Sequence, residues 1–227
     1  MIVTRIATVL LAIVVAVIAL VWQFPARGLL LVLPSTALSS PLHRVHAIEG
    51  RLWRGAMSLS VAALPTLQRI EWQCELAPLS ASIDCALSGS LNGTVTLRPF
   101  AGVAVAQKLD FVSALDYRAN SNVAVTSESL SVQIDTATLS RTRLELKGSA
   151  IAKDWVVASP ALVPPRASLG EVFVECLPDT ANAASNCTVK NRASATRIDG
   201  NIELTLNRVR GALEIASPGA APLKFGF

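Results

Sequence analysis

Apolar positions follow two different rules along this chain. Residues 6–22 (IATVLLAIVVAVIALVW) carry no charge, with Arg5 before them and Arg27 after them. As a helix these seventeen residues extend about 26 Å, close to the lower limit for crossing a bilayer's hydrocarbon core. Trp22 and Phe24 carry the stretch into the interface, where aromatic rings are favoured. Residues 6–24 are therefore expected to form a transmembrane anchor after a short cytoplasmic start, residues 1–5. The run is longer than the apolar core of a cleaved signal, and Trp22-Gln23-Phe24-Pro25 is a poor cleavage site.

Residues 25–44 are rich in Pro and Leu and read as a juxtamembrane linker, with a short helix over 27–33 that Pro34 ends. Beyond them the period changes to two. Ile70, Trp72, Cys74 and Leu76 alternate with polar or charged residues, as do Val123 and Val125, then Leu130, Val132 and Ile134. Leu144 and Leu146 repeat the pattern, and so do Ile202, Leu204 and Leu206. Turn-type residues separate many runs: Asn92-Gly93, Asn120 to Asn122, Gly148, Asp199-Gly200 and Gly211. The fold class expected is mainly β: the N-terminal helix, then a large antiparallel sheet, curved or partly closed into a barrel. A sandwich is the alternative. About ten to twelve strands fit between residues 45 and 216.

This β domain is expected to span residues 45–217. Residues 159–168 (SPALVPPRAS) are the best internal boundary, giving possible halves 45–158 and 169–217. Residues 218–227 form a tail whose end, LKFGF, suits a short edge strand or a flexible segment that adds to a partner's sheet.

The four cysteines fall into two pairs with equal spacing, Cys74 with Cys85 and Cys176 with Cys187. Three connectivities are open, and four buried free thiols are the alternative. Matched local pairing is the economical choice, each bond closing a hairpin or long loop. Each such bond stabilises by about 3 kcal/mol through loop closure. Disulfides persist in oxidising compartments, which places the domain outside the cytoplasm.

Net charge is +4, and the arginines are scattered singly beside one Tyr, unlike the basic and aromatic cluster of a nucleic-acid reader. No short C-x-x-C pair exists to hold a metal, and His43 and His46 sit in the Pro-rich approach to the domain, a poor place for a catalytic base. There is no nucleophile elbow and no phosphate loop. Carboxylates such as Asp110 with Asp116, or Glu145 with Glu171, read as the wet side of strands. Asn92 and Asn186 fit the glycan-acceptor pattern but read as turn residues. The expectation is no enzyme, no cofactor, no metal and no small-molecule substrate.

Residues 45–57 read VHAIEGRLWRGAM. Val45 and Ile48 enter a strand, Gly50 permits a turn or close approach, and Leu52 and Trp53 supply bulk before Gly55. Trp53, flanked by Arg51 and Arg54, suits a cation–π contact or the packing of a strand end onto the core. Here the chain resembles the type II secretion system protein N family (general secretion pathway protein N). The family's V-x-G-x-L-W-x-G-type motif matches Ile48, Gly50, Leu52, Trp53 and Gly55. A looser similarity covers IEWQCELAPL, with Trp72 and Pro78, and the Gly-punctuated stretch after it. The resemblance runs over about residues 5–105.

It implies a non-enzymatic accessory of the secretion machinery, single-pass in the bacterial inner membrane, with its β domain in the periplasm. The implied partners are other secretion-system components in the inner membrane and periplasm. The implied role is assembly or stabilisation of the envelope-spanning complex, with Ile48, Gly50, Leu52, Trp53, Gly55 and Trp72 as candidate interaction residues. The rival is a periplasmic lipid-binding or lipid-transfer protein with a hydrophobic β groove. A groove needs an apolar face that no second layer covers. The polar residues Ser127, Glu128, Ser129, Ser131 and Gln133 favour one wet face.

Overall fold

Alternating side chains give every strand one apolar and one polar side, so consecutive hairpins build a sheet with two unlike faces. The structure, a computed structural model, describes residues 25–26, 43–119, 123–160, 165–179, 181–192, 194–206, 208–219 and 221–226. Thirteen strands follow one another: β1 (His43–Arg51), β2 (Arg54–Val61), β3 (Gln68–Ala77), β4 (Ser82–Gly89), β5 (Leu91–Arg98), β6 (Val103–Ala119), β7 (Val123–Leu139), β8 (Leu144–Ala158), β9 (Arg166–Asp179), β10 (Ala184–Arg192), β11 (Arg197–Thr205), β12 (Arg208–Ala216) and β13 (Leu223–Gly226). All lie in one antiparallel sheet in sequence order, and β13 does not pair with β1. The sheet is therefore open, with neither the sandwich nor a closed barrel formed. Twelve strands fall within the span where ten to twelve were expected, and the tail supplies the thirteenth as a short edge strand.

The expected cytoplasmic start, anchor and juxtamembrane helix lie outside the described residues, among which no helix is long and apolar enough to cross a membrane. The proposed boundary at 159–168 leads from β8 into the start of β9, and the two strands pair with each other, Val157 opposite Ala167 and Ala152 opposite Val172.

Registers place Ile70, Trp72, Cys74 and Leu76 on the same face as Leu87, Cys85 and Ile83. That face continues through Val95, Ala106, Val132, Ala150, Val174 and Val189 to Gly200 and Leu213. The sheet curls toward it. Cα atoms of β8 and β11 approach within 8 Å, where a flat sheet holds strands three apart at about 14 Å. The curl buries Val157, Ala167, Leu169, Val172, Val189, Ile198 and Ile215 against one another.

Where the sequence placed turns at Asn92-Gly93, Gly148, Asp199-Gly200 and Gly211, the structure has strand interiors of β5, β8, β11 and β12. These glycines stand on the inner face, where the curl crowds neighbouring backbones. A Cβ at Gly148 would lie 2.5 Å from the Gln133 carbonyl, and one at Gly93 2.5 Å from that of Lys108. In a curled sheet a strand glycine thus marks close backbone approach. Asn92 and Asn186 likewise stand in β5 and β10 and not in turns. The phase change between Val125 and Leu130 is a bulge in β7 opposite Ser113 and Leu115, where Ser127 donates a hydrogen bond to the Lys153 carbonyl at 2.5 Å.

Pro178 in β9 cannot donate to the ladder. Opposite it stands Ser185, whose hydroxyl is buried and reaches past β9 to accept from Leu146 N–H at 2.7 Å. Both predicted disulfides are present and local. Cys74–Cys85 ties β3 to β4 and Cys176–Cys187 ties β9 to β10, each at directly opposed ladder positions on the inner face.

Candidate interaction site: a tryptophan corner on an uncovered apolar face

The motif residues come together at the β1–β2 hairpin. Arg51 opposes Arg54 and Gly50 opposes Gly55, leaving Leu52 and Trp53 as a two-residue turn. Gly50 has φ +87°, and a Cβ there would meet the Arg54 carbonyl at 2.6 Å, so only glycine enters this turn without strain. Gly55 is required for another reason: the Trp72 ring lies over it, and a Cβ would come 2.5 Å from Trp72 Cζ2.

Trp72 donates from Nε1 to the Leu52 carbonyl at 2.9 Å, and Cys74 N–H donates to the Trp53 carbonyl at 2.7 Å. The turn carbonyls are thus captured by β3, one by Cys74 itself and the other by Trp72, two residues before it. Ile48 is buried and opposes Met57 on the same face. Of the six motif positions, Ile48, Gly50, Leu52, Trp53, Gly55 and Trp72, all belong to this one corner, and Trp53 is half-buried in it. Pro25 bridges to Arg51 on the free edge of β1, so the chain before the domain meets the sheet at this same corner.

The second feature is the inner face itself. It is apolar on every strand, and the described residues form a single sheet with no second layer over it. From β8 to β12 the curl covers this face with the protein's own side chains. From β1 to β6 most of its residues stay half-exposed, and Leu76 and Leu97 are openly exposed. The opposite face is wet: Glu128, Ser131 and Gln133 stand on it, as do the paired Arg69 and Glu71, 3.0 Å apart. The criterion for a groove and the criterion for a wet face are therefore both met, on opposite sides of one sheet.

The carboxylates and histidines singled out in the sequence do not converge among the described residues. Asp110 and Asp116 stand six residues apart along β6, about 20 Å. Asp116 faces Arg118 at 3.6 Å, and Glu145 pairs with Arg143. His46 lies exposed at the β1 bulge, 2.9 Å from the Ser60 hydroxyl. Among the described residues no group of His, Cys, Asp or Glu is arranged to hold a metal ion. One carboxyl has a shifted pKa. Asp179 is held below its ordinary value, chiefly by the hydrogen bond from the Asn182 side chain, with slight burial acting the other way and the Asn182 and Ala181 backbone amides and Asn186 adding to the lowering. It organises the β9–β10 turn and faces no cleft.

The six residues singled out in the sequence stand together at this corner. The continuity of the inner face needed twelve registers at once and was not visible strand by strand. No known protein family, curated protein or solved structure matches this chain.

Proposed function

We propose that this protein is a non-enzymatic accessory of the type II secretion machinery, held at the bacterial inner membrane with its β domain in the periplasm. The observation that supports this reading is the corner itself. The residues on which the resemblance rests are not scattered: they form one hairpin held onto β3 by the Trp72 indole and the Cys74 N–H, which donate to the two turn carbonyls. The two disulfides agree with an oxidising compartment. Assembly or stabilisation of an envelope complex asks for surfaces and edges, and the open sheet offers a free edge along β1 and a partly covered one along β12, where β13 spans only residues 212–215.

In-cell photocrosslinking from exposed β1 positions such as Glu49, followed by mass spectrometry, tests this. Secretion-machine proteins, among them the secretin or inner-membrane platform components, are expected as adducts. Normal expression with none of them recovered counts against the assignment. Neighbouring genes for a secretin and a secretion ATPase would agree with it.

A second reading is favoured by the uncovered inner face: a lipid-binding or lipid-transfer protein of the envelope whose β1–β6 trough holds acyl chains. Native mass spectrometry of the purified chain separates the two. Stoichiometric co-purifying lipid supports the trough, and a lipid-free chain that still captures secretion components supports the first reading alone.

A further inference from the structure

Antiparallel strands in sequence order send alternate turns to opposite ends of the sheet. The turns after β1, β3, β5, β7, β9 and β11 share one end, and that end is chemically unlike the other. Of the ten exposed large apolar residues among the described ones, seven stand in these turns or within two residues of them, and Leu177 stands three residues from its turn; Leu67 is at the far end and Val112 in mid-strand. Leu79 and Phe100 are the extreme cases, at 104% and 93% exposure, each at the tip of its turn.

The same six turns, counted with their flanking strand residues, carry six arginines and one carboxylate, Asp179; the six connections at the far end carry three arginines. Between the β5–β6 and β7–β8 turns lies a shallow concavity of about 430 Å³. Leu97, Val103 and Leu139 form its apolar wall, and Arg98 and Arg141 stand at its rim. Arg98 and Arg141 have no ion-pair partner among the described residues.

Pro25 supplies an independent direction. It bridges to Arg51, at this end. Trp22, the last residue of the uncharged run 6–22, is three residues from Pro25 and thus within about 11 Å of it in any conformation. Pro25, which follows the uncharged run by three residues, thus meets the end of the sheet that has exposed apolar tips and arginines.

We infer that this end of the sheet rests on an anionic phospholipid bilayer, with Leu79 and Phe100 in the interfacial region and Arg98 and Arg141 paired with lipid phosphates. Exposed apolar tips gain by entering the interface, and basic groups near an anionic surface add about fivefold each to membrane partitioning. The open β1–β6 trough then stands with one end at the membrane. The inference rests on the membrane attachment in the proposed function and not on its partners. Failed partner capture leaves it intact, and failure here leaves the secretion assignment to its own test.

The test uses the full chain reconstituted in vesicles of phosphatidylethanolamine and phosphatidylglycerol, and in parallel in phosphatidylcholine alone. Benzoylphenylalanine replaces Leu79, Phe100 or, at the far end, Leu67, one at a time. Leu79 and Phe100 are almost fully exposed and Leu67 is more than half exposed, so each position has room for the larger side chain. After irradiation, lipid adducts are expected from positions 79 and 100 at tenfold or more the yield from 67. Arg98→Gln with Arg141→Gln should lower the adduct at 100 severalfold in the anionic vesicles and leave it unchanged in phosphatidylcholine. On the unaltered chain, amide exchange over residues 100–102 should slow in anionic relative to neutral vesicles. Equal adduct yields at all three positions, crosslinks from 79 and 100 to a second copy in place of lipid, or identical exchange in both lipids would overturn the proposal.

Discussion

The β3–β4 and β9–β10 hairpins are built to one plan and sit at different depths. In each, directly opposed cysteines are followed by three further ladder pairs and a four-residue turn: Ala77 opposes Ser82, and Asp179 opposes Ala184. In each, the residue seven places after the first cysteine is an alanine with positive φ, +48° at Ala81 and +52° at Ala183. What surrounds them differs. Cys176 and Cys187 are both buried beside the core that the curl closes over β8 to β12, whereas of the first pair only Cys85 is buried and Leu76 on its face is open. One covalent unit serves two settings. In the C-terminal half it reinforces a core, and in the N-terminal half it joins the Trp72 lock in place of one.

Removing the disulfides separates these settings most sharply. Equal loop lengths give each bond a chain-entropy contribution of about 3 kcal/mol. Replacing Cys176 and Cys187 by Ala adds a packing loss of about 1–2 kcal/mol, which the exposed side of the first pair largely escapes. Urea unfolding of the full chain in detergent should therefore rank the second pair as the costlier. Equal losses would mean that burial contributes nothing to the difference.

Single apolar truncations come next. Leu169→Ala, at a fully buried site, is expected to cost about 2–5 kcal/mol. Leu97→Ala, on the open part of the same face, should cost under about 1 kcal/mol in the same urea titration. Comparable losses would show that the N-terminal trough is covered in solution, by a lipid or by another copy.

Much of this was legible in the sequence, for a physical reason. Period-two alternation reports strand faces directly, so β3, β7, β8 and β11 could be read from their apolar positions, while the bulge between Val125 and Leu130 showed only in the pairing. The matched cysteine spacing gave both bonds. What could not be read was curvature. Gly148 and Gly200 have the same local chemistry as turn glycines, and only the opposing strand shows that they relieve crowding. Lys108 and Asp154 hold positive φ within strands, where nothing local marks them. The corner was legible as a motif, while its lock, Trp72 over Gly55, is a contact across seventeen residues that spacing alone does not reveal.

The two turns themselves give a smaller contrast, or its absence. An alanine in the left-handed region is strained by about 1–2 kcal/mol, and glycine removes that strain at an unfolded-state entropy cost of about 0.5–1 kcal/mol. Ala81→Gly and Ala183→Gly should each stabilise by about 0.5–1 kcal/mol in the net. A gain at one position and a loss at the other would argue that the shared turn plan is only apparent.

The smallest effect distinguishes the turns by pH. Position three after the first cysteine is Asp179 in one hairpin and Ala77 in the other. Asp179 accepts from Asn182 Nδ2 at 2.9 Å and from the Ala181 and Asn182 amides at 3.1 and 3.3 Å, whereas Ala77 offers only its carbonyl, to Ser80 N–H at 3.2 Å. These bonds favour the carboxylate, so the folded pKa lies below the ordinary 3.8. The resulting stabilisation is complete above the unfolded-state value and is lost as pH falls through the folded one. Amide exchange at Ala181 and Asn182 should accelerate beyond its intrinsic pH dependence as the solution is acidified below about pH 4, while Ser80 and Ala81 follow the intrinsic trend. Asp179→Asn should abolish the difference, because a neutral amide keeps an acceptor but has no proton to gain in that range. Parallel acid responses in both turns would place the sensitivity in the sheet as a whole and not in this carboxylate.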